Sequence, residues 1–305
     1  MNKKILITGG SGTVGRTFME QYPHYEYYNV SRNETNITSL SNKFPKVTHF
    51  IVDVSNLEDL IRVFNKVKPD IVIHAAAIKH VNLAEENPTS TILSNIIGSL
   101  NVVKASIKAD VPITIGISTD KACNPDNVYG YTKQLMESIF FEHHTERNKF
   151  ICTRFANVAC SNGSVIPFFK KCVLENTPLL LTDPNMNRLM FSKSESSTLI
   201  HQAIIDSQNK SEPFILSKIM QSVNMLELTS IFNHPVKVVG KRPGEKLNET
   251  LISLSELPYS YVSDKGYIYL FNTETPPQRR LKHEHSSLTA KTMTSSELLK
   301  LIKTN

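Results

Sequence analysis

Apolar residues are not spread evenly along the 305-residue chain. Short runs rich in Ile, Val, Leu and Tyr recur at 5–8, 26–30, 48–54, 70–76, 112–118 and 150–155. Between them, over about 13–21, 56–67, 89–108 and 130–145, apolar residues return every three or four positions. That spacing lines one face of a helix. Strands that are apolar throughout are buried on both faces, so the alternation predicts a parallel sheet covered by helices on each side. Right-handed crossovers make this a doubly wound α/β fold.

After residue 157 the rhythm changes. Loop-like stretches such as "LTDPNMNR" and "KRPGEKLNE" alternate with short helical patterns near 194–208, 224–233 and 295–303. The expected organisation is a dinucleotide-binding domain over 1–160, completed by elements around 190–220. Residues 161–305 then form mainly a smaller substrate-binding annex. With no internal repeat and no low-complexity linker, the two parts are expected to share an interface.

Composition narrows the class. At 40% hydrophobic and 20% charged residues, the chain can bury a sizeable core. No apolar run reaches the ~18 to 20 residues of a membrane helix. The first strand candidate, Ile5 to Ile7, begins close to Met1, which leaves no room for a signal peptide. Cys123, Cys152, Cys160 and Cys172 show no C-x-x-C spacing, so free thiols, a reducing cytoplasm and no metal site are expected. The sequons at Asn33, Asn36, Asn162 and Asn248 are then chance matches. A net charge of +6 and a pI near 9.0 fit either a nucleic-acid binder or an enzyme for phosphorylated ligands. Apart from Arg279, Arg280 and Lys282 the basic residues are scattered, so no nucleic-acid partner and no membrane partner are expected.

The segment "ILITGGSGTVGRTF" sets Gly9, Gly12 and Gly15, with Ser11, Thr13 and Val14 between them, where the first strand meets the first helix. This is the context a dinucleotide site requires. Glycine permits the tight turn and close approach of a pyrophosphate, and the helix start aims N–H groups at the anion. A site for NAD would place Asp or Glu at the end of the second strand to hold the ribose hydroxyl. Here "EYYNV" runs into Ser31, Arg32 and Asn33. A guanidinium suits a 2′-phosphate, so NADP is expected over NAD; the alternative is an ordinary loop cation. Asp53 and Val54 are expected beside the adenine, and Ala75, Ala76 and Ile78 on the path to the nicotinamide, or else as strand-end packing.

The segment "STDKACNPDNVYGYTK" carries the candidate chemistry. Tyr129 and Lys133 are four apart and share a helix face, whereas Tyr131 points elsewhere. A nearby ammonium and an oxidised nicotinamide are expected to lower the phenol pKa, so that Tyr129 can deprotonate a sugar hydroxyl as hydride leaves the same carbon. Thr119 can share that hydroxyl. Asp120 and Lys121 follow directly, at a strand end where open α/β sheets place ligands. Once one sugar carbon is a ketone, the neighbouring C–H is acidified. Lys121 is then a candidate base, if positive surroundings depress its pKa, and Asp120 a candidate acid to expel the next hydroxyl as water. A plain surface ion pair is the alternative.

With these residues in place, the chain resembles an extended short-chain dehydrogenase/reductase. Within that group it is similar to the UDP-N-acetylglucosamine 4,6-dehydratases of bacterial surface-sugar and flagellin-glycosylation pathways. The resemblance runs from about residue 3 to 250 and rests on "TGGSGTVG", "HAAAIKHVNLAEENP", "STDKACNPDNVYGYTK", "RFANVACSNGSVIPFF" and "RPGEKLNE". Related TDP-glucose dehydratases have Glu after the Asp, so the Asp-Lys pair points to the N-acetylglucosamine branch. Membrane-anchored members of that branch carry Met for the Tyr. Tyr129 therefore implies the soluble, C5-inverting type, with the product UDP-2-acetamido-2,6-dideoxy-β-L-arabino-hexos-4-ulose. The resemblance also implies a homo-oligomer and a UDP-sugar site lined by Lys79, Asn95, Arg154, Asn157, Arg242 and Glu245. Ala159, Cys160, Asn162 and Asn248 depart from the family pattern, and all lie in the substrate half. Two other readings are a sugar-nucleotide epimerase that shares the Tyr-Lys pair and a non-catalytic dinucleotide sensor.

Overall fold

The computed structural model describes residues 2–242 and 244–303; Pro243, within "RPGEKLNE", lies outside them. The six apolar runs form β1 (Lys4–Thr8), β2 (Glu26–Ser31), β3 (Thr48–Ile51), β4 (Ile71–His74), β5 (Ile113–Thr119) and β6 (Lys149–Phe155). The crossovers between the first four carry α1 (Thr13–Gln21), α2 (Glu34–Lys43) and α3 (Leu57–Val67). The path from β4 to β5 holds α4 (Val81–Glu86), α5 (Pro88–Ile92), a π-turn over Leu93–Ile97 and α6 (Gly98–Lys108). A short 3₁₀ turn, Asp120–Ala122, and α7 (Val128–His143) lead on to β6.

Beyond β6 come β7 (Asn157–Val158), α8 (Val165–Leu174), β8 (Leu179–Leu181), β9 (Asn187–Phe191), α9 (Lys193–Asn209) and β10 (Ile215–Lys218). They are followed by β11 (Gln221–Asn224), α10 (Met225–Ser230), β12 (Val236–Val238), β13 (Thr250–Ile252), β14 (Ser260–Val262), β15 (Tyr267–Leu270), β16 (His285–Ser286) and α11 (Ser295–Lys303). The main sheet has nine strands in the order β14-β15-β10-β6-β5-β4-β1-β2-β3. The run from β10 to β3 is parallel, and β14 and β15 form an antiparallel hairpin on one edge. Three strands of this sheet thus come from beyond residue 160.

Strand alternation sorts the core into layers. In β1, Ile5 and Ile7 join one cluster with Phe18, Phe140 and Phe150, while Leu6 joins another with Leu60, Phe64 and Val102 on the opposite face. All of these side chains are buried. A third cluster, including Phe169, Leu179, Leu228 and Leu298, forms the core of the annex. The sheet order reverses between β1 and β4, and a crevice opens at the carboxyl ends of the strands there. Among the described residues, no helix is long and apolar enough to cross a membrane.

Candidate active site

A cleft of about 600 Å³ lies at that reversal. Its floor is the glycine turn. Gly9 has φ +70°, and a Cβ there would lie 2.8 Å from Ala76 Cα, so only glycine lets the β1 and β4 ends approach this closely. Gly12 caps α1 without a side-chain hydrogen bond, leaving the helix start facing the cleft with Ser11, Thr13 and Val14. Gly15 does not line the cleft. A Cβ on it would fall 2.5 Å from Gly10 Cα, so it serves the close packing of α1 on the turn.

The second wall is the end of β2. Ser11 Oγ donates to Ser31 Oγ at 3.1 Å, and Ser31 Oγ donates to Asn29 Oδ1 at 3.0 Å. Arg32 Nη1 meets Asp53 Oδ2 at 3.0 Å, with Arg32 largely exposed. Burial works against the Asp53 carboxylate, but hydrogen bonds from Ser55 and Arg32 hold its pKa below the ordinary value. Val54, Ala75, Ala76 and Ile78 also line the cleft.

The third wall holds the chemistry. Thr119, Lys121, Tyr129 and Lys133 all line the cleft. Asn127 caps α7 by accepting from Gly130 N, which sets the helix phase that turns Tyr129 and Lys133 inward. Lys133 Nζ donates to Ile117 O at 2.7 Å, and burial lowers its pKa to about 8. Behind it, the buried His74 bridges Thr8 and Ser99 at 2.7 and 2.9 Å, and its pKa falls to about 3 through burial and the Lys133 charge.

Two pKa expectations are corrected. The Tyr129 phenol is raised, to about 12, because burial outweighs the downward pull of Lys121 and Thr119. Lys121 is raised too. Burial alone would lower it, but the charges of Asp120 and Glu249 outweigh burial and favour the ammonium. Its Nζ sits 3.2 Å from Asp120 Oδ1 and 2.8 Å from Glu249 Oε1. Asp120 is raised as well: burial and then the Glu249 charge lift it to about 7. The pair is no exposed surface bridge, since the Asp120 side chain is fully buried.

The residues expected at the sugar site separate into two groups. Lys79 and Asn157 line the cleft. Lys79 Nζ donates to Asn162 O at 2.9 Å, and Asn157 Nδ2 to Glu249 Oε2 at 3.4 Å. Asn95, Arg154, Arg242 and Glu245 do not line it. Asn95 is buried in the π-turn, where its amide accepts from Ile78 N and donates to Ile78 O and Thr132 Oγ1. Arg154 is 2% exposed and clamps Glu137 with two bonds of 3.0 and 2.7 Å, with Nη1 on Glu256 at 2.9 Å. Both side chains are engaged by distant segments of the chain. Arg242 N donates to Glu245 Oε2 at 3.0 Å on an exposed loop.

Two residues that matter were missed in the sequence. Glu249, in the "RPGEKLNE" stretch just before β13, and Arg188, on β9, meet at 3.5 Å, and Glu249 reaches Lys121 from the annex. A carboxylate in a motif already noted was the available signal for Glu249; Arg188 gave none.

Comparison with known proteins agrees with this architecture. Residues 5–270 match the family described as "Polysaccharide biosynthesis protein". The chain is 36% identical to a UDP-N-acetylglucosamine 4,6-dehydratase (inverting) of Campylobacter jejuni, with 87% of this chain and 82% of that one covered. It is 32% identical to an uncharacterized membrane protein of Methanocaldococcus jannaschii, covering 99% of this chain and 96% of that one. Its fold superposes on the crystal structure of Pen from Bacillus thuringiensis with a TM-score of 0.90 at 28% identity, covering 99% and 97% of the two chains.

Proposed function

Because the chain belongs to the polysaccharide biosynthesis protein family, we propose that it is a sugar-nucleotide dehydratase acting on UDP-N-acetylglucosamine. The observation that carries this reading is the meeting of two proton-transfer pairs in one cleft. Tyr129 and Lys133 lie on its wall, and Lys121 stands beside them with the buried Asp120 carboxyl behind it. Elimination needs an acid to protonate the departing hydroxyl, a role that hydride transfer alone does not call for.

In the proposed reaction Tyr129 takes the proton of the C4 hydroxyl, with Lys133 fixed against β5 to favour the phenolate. Gly9, Ser11 and Gly12 would hold a nicotinamide dinucleotide in this cleft, and that group would supply the hydride chemistry at C4 and C6. The resulting C4 carbonyl acidifies C5–H, and Asp120 gives its proton to the departing C6 hydroxyl. Lys121 holds the position to receive the C5 proton. The ammonium favoured by its carboxylate neighbours makes the amine form scarce, so this transfer is the step pH governs most. Reprotonation of C5 from the other face would give the inverted product, as in the name of the Campylobacter jejuni relative.

The proposed cofactor is NADP. Ser11, Ser31 and Arg32 line the cleft where a 2′-phosphate would rest, and no carboxylate ends β2. Asp53 shares Arg32 and would have to share it with the phosphate as well. We also place the enzyme in the cytoplasm as a homo-oligomer. Exposed Leu93, Ile97, Tyr131 and Leu135 on neighbouring helical turns support the latter as an apolar face.

Mass spectrometry of a panel of UDP-, TDP- and GDP-sugars tests the reading. It predicts that UDP-N-acetylglucosamine alone loses the mass of one water. An epimer of unchanged mass would favour the second reading instead.

A further inference from the structure

Glu249 occupies a position that the dehydratase reading does not require. It comes from the annex, held by Glu249 N donating to Ser287 Oγ at 2.9 Å, and reaches the end of β5. There Lys121 Nζ bridges the two carboxyl groups, at 2.8 Å from Glu249 Oε1 and 3.2 Å from Asp120 Oδ1. Asp120 Oδ2 is buried and, among the described residues, receives no hydrogen bond from a donor group. Two carboxylates this close in a buried site do not both ionise, so one proton lies between them. The charges around the pair decide which side holds it. Lys121 and Arg188 both address Glu249 Oε1, at 2.8 and 3.5 Å. Asp120 has Lys121 at 3.2 Å, the Thr119 hydroxyl at 2.9 Å and the neutral Tyr129 phenol nearby. Glu249 therefore stays ionised and Asp120 keeps the proton.

We propose that Glu249 is a positioning residue for elimination: it keeps the shared proton on Asp120 and fixes Lys121 at the cleft wall. This rests on the dehydratase reading and deepens it. In the elimination step the proton leaves Asp120 for the C6 hydroxyl oxygen. The C6–O bond breaks and its electron pair departs with water. The C5–H electrons form the C5–C6 double bond, and the C5 proton passes to Lys121 in its amine form. Glu249 gains and loses no proton, and acts only through its charge. The annex thereby sets the state of the acid on the sheet.

The test is single-turnover kinetics of Glu249→Gln with UDP-N-acetylglucosamine, following reduced nicotinamide and 6-deoxy product separately across pH. Elimination is expected to fall about tenfold or more relative to oxidation, so that reduced cofactor accumulates. The inflection near neutrality moves to lower pH, because loss of the Glu249 charge lets Asp120 release its proton sooner. Glu249→Asp, which keeps the charge, is expected to restore the inflection toward neutrality. Equal losses in oxidation and elimination with an unmoved inflection would overturn the proposal, since a merely structural role predicts that. Should Glu249→Gln fail to fold, infrared titration of the wild type decides: a protonated-carboxyl band that disappears on raising the pH through neutrality and is absent in Asp120→Asn supports it. No such band overturns it. If the wild type forms no 6-deoxy product, the dehydratase reading itself fails.

Discussion

Arg32 and Asp53 are joined at 3.0 Å across the outer end of the cleft, linking the ends of β2 and β3. The pair is exposed, so its own contribution to stability is small. Its importance is for the proposed cofactor choice, since Arg32, the cation that follows β2, is already shared with a carboxylate. Arg32→Ala is expected to weaken NADP by about tenfold or more while changing NAD far less. Asp53→Asn is expected to strengthen NADP. Titration calorimetry with both dinucleotides checks this, and equal losses for the two would contradict the NADP assignment.

Tyr129 is expected to be indispensable for oxidation at C4. Tyr129→Phe should lower that step by about 10²- to 10⁴-fold. Because burial raises the phenol to about 12, the wild-type oxidation rate should rise as pH increases toward that value. Stopped-flow absorbance of the reduced nicotinamide shows both effects. A Tyr129→Phe rate with the wild-type pH slope would argue for another base.

Arg154 is expected to act in stability and not in substrate binding. Its guanidinium is enclosed by Glu137 and Glu256, and Ser118 Oγ donates to the same Glu137 at 2.6 Å. Removing one partner of a buried ion pair leaves charge uncompensated, so Arg154→Met should cost about 3 to 5 kcal/mol in urea unfolding. The KM for the sugar nucleotide should stay near the wild-type value. A large rise in KM without loss of stability would restore Arg154 to the substrate site.

Asp120 should cost stability at the pH where it works. Its folded pKa is raised to about 7 from 3.8, so its favourable contribution is complete below 3.8 and is lost as pH rises through 7. Asp120→Asn removes that loss. The variant should gain stability over the wild type as pH rises from about 4 to about 8, while losing dehydration. Unfolding curves at both pH values measure the difference. Parallel wild-type and variant stabilities across that range would mean the carboxyl is not perturbed by its site.

The parts of the molecule that were legible in the sequence are those set by local pattern. β1, the glycine turn and α1 lie within one short stretch, and Tyr129 and Lys133 share one helix face. α2 was not anticipated because it buries only Leu40 and shows little apolar period; its start depends on Asn33 accepting from Asn36 N. Arg154 and Asn95 were expected at the sugar site through the family resemblance alone. Their partners come from distant segments: Glu137 on α7 and Glu256 after β13 for Arg154, Ile78 and Thr132 for Asn95. The same limit applies to Lys121. Its neighbour Asp120 was visible, but Glu249 and Arg188, which complete its field, are brought in only by the packing of the annex.

In the proposed reaction one cleft first makes a carbonyl at C4 and then expels water across C5 and C6. Proton NMR of UDP-N-acetylglucosamine with the enzyme in deuterated water tests it most directly. A new methyl signal at C6 and deuterium at C5 are expected. An intact hydroxymethyl group with altered stereochemistry at C4 would contradict it.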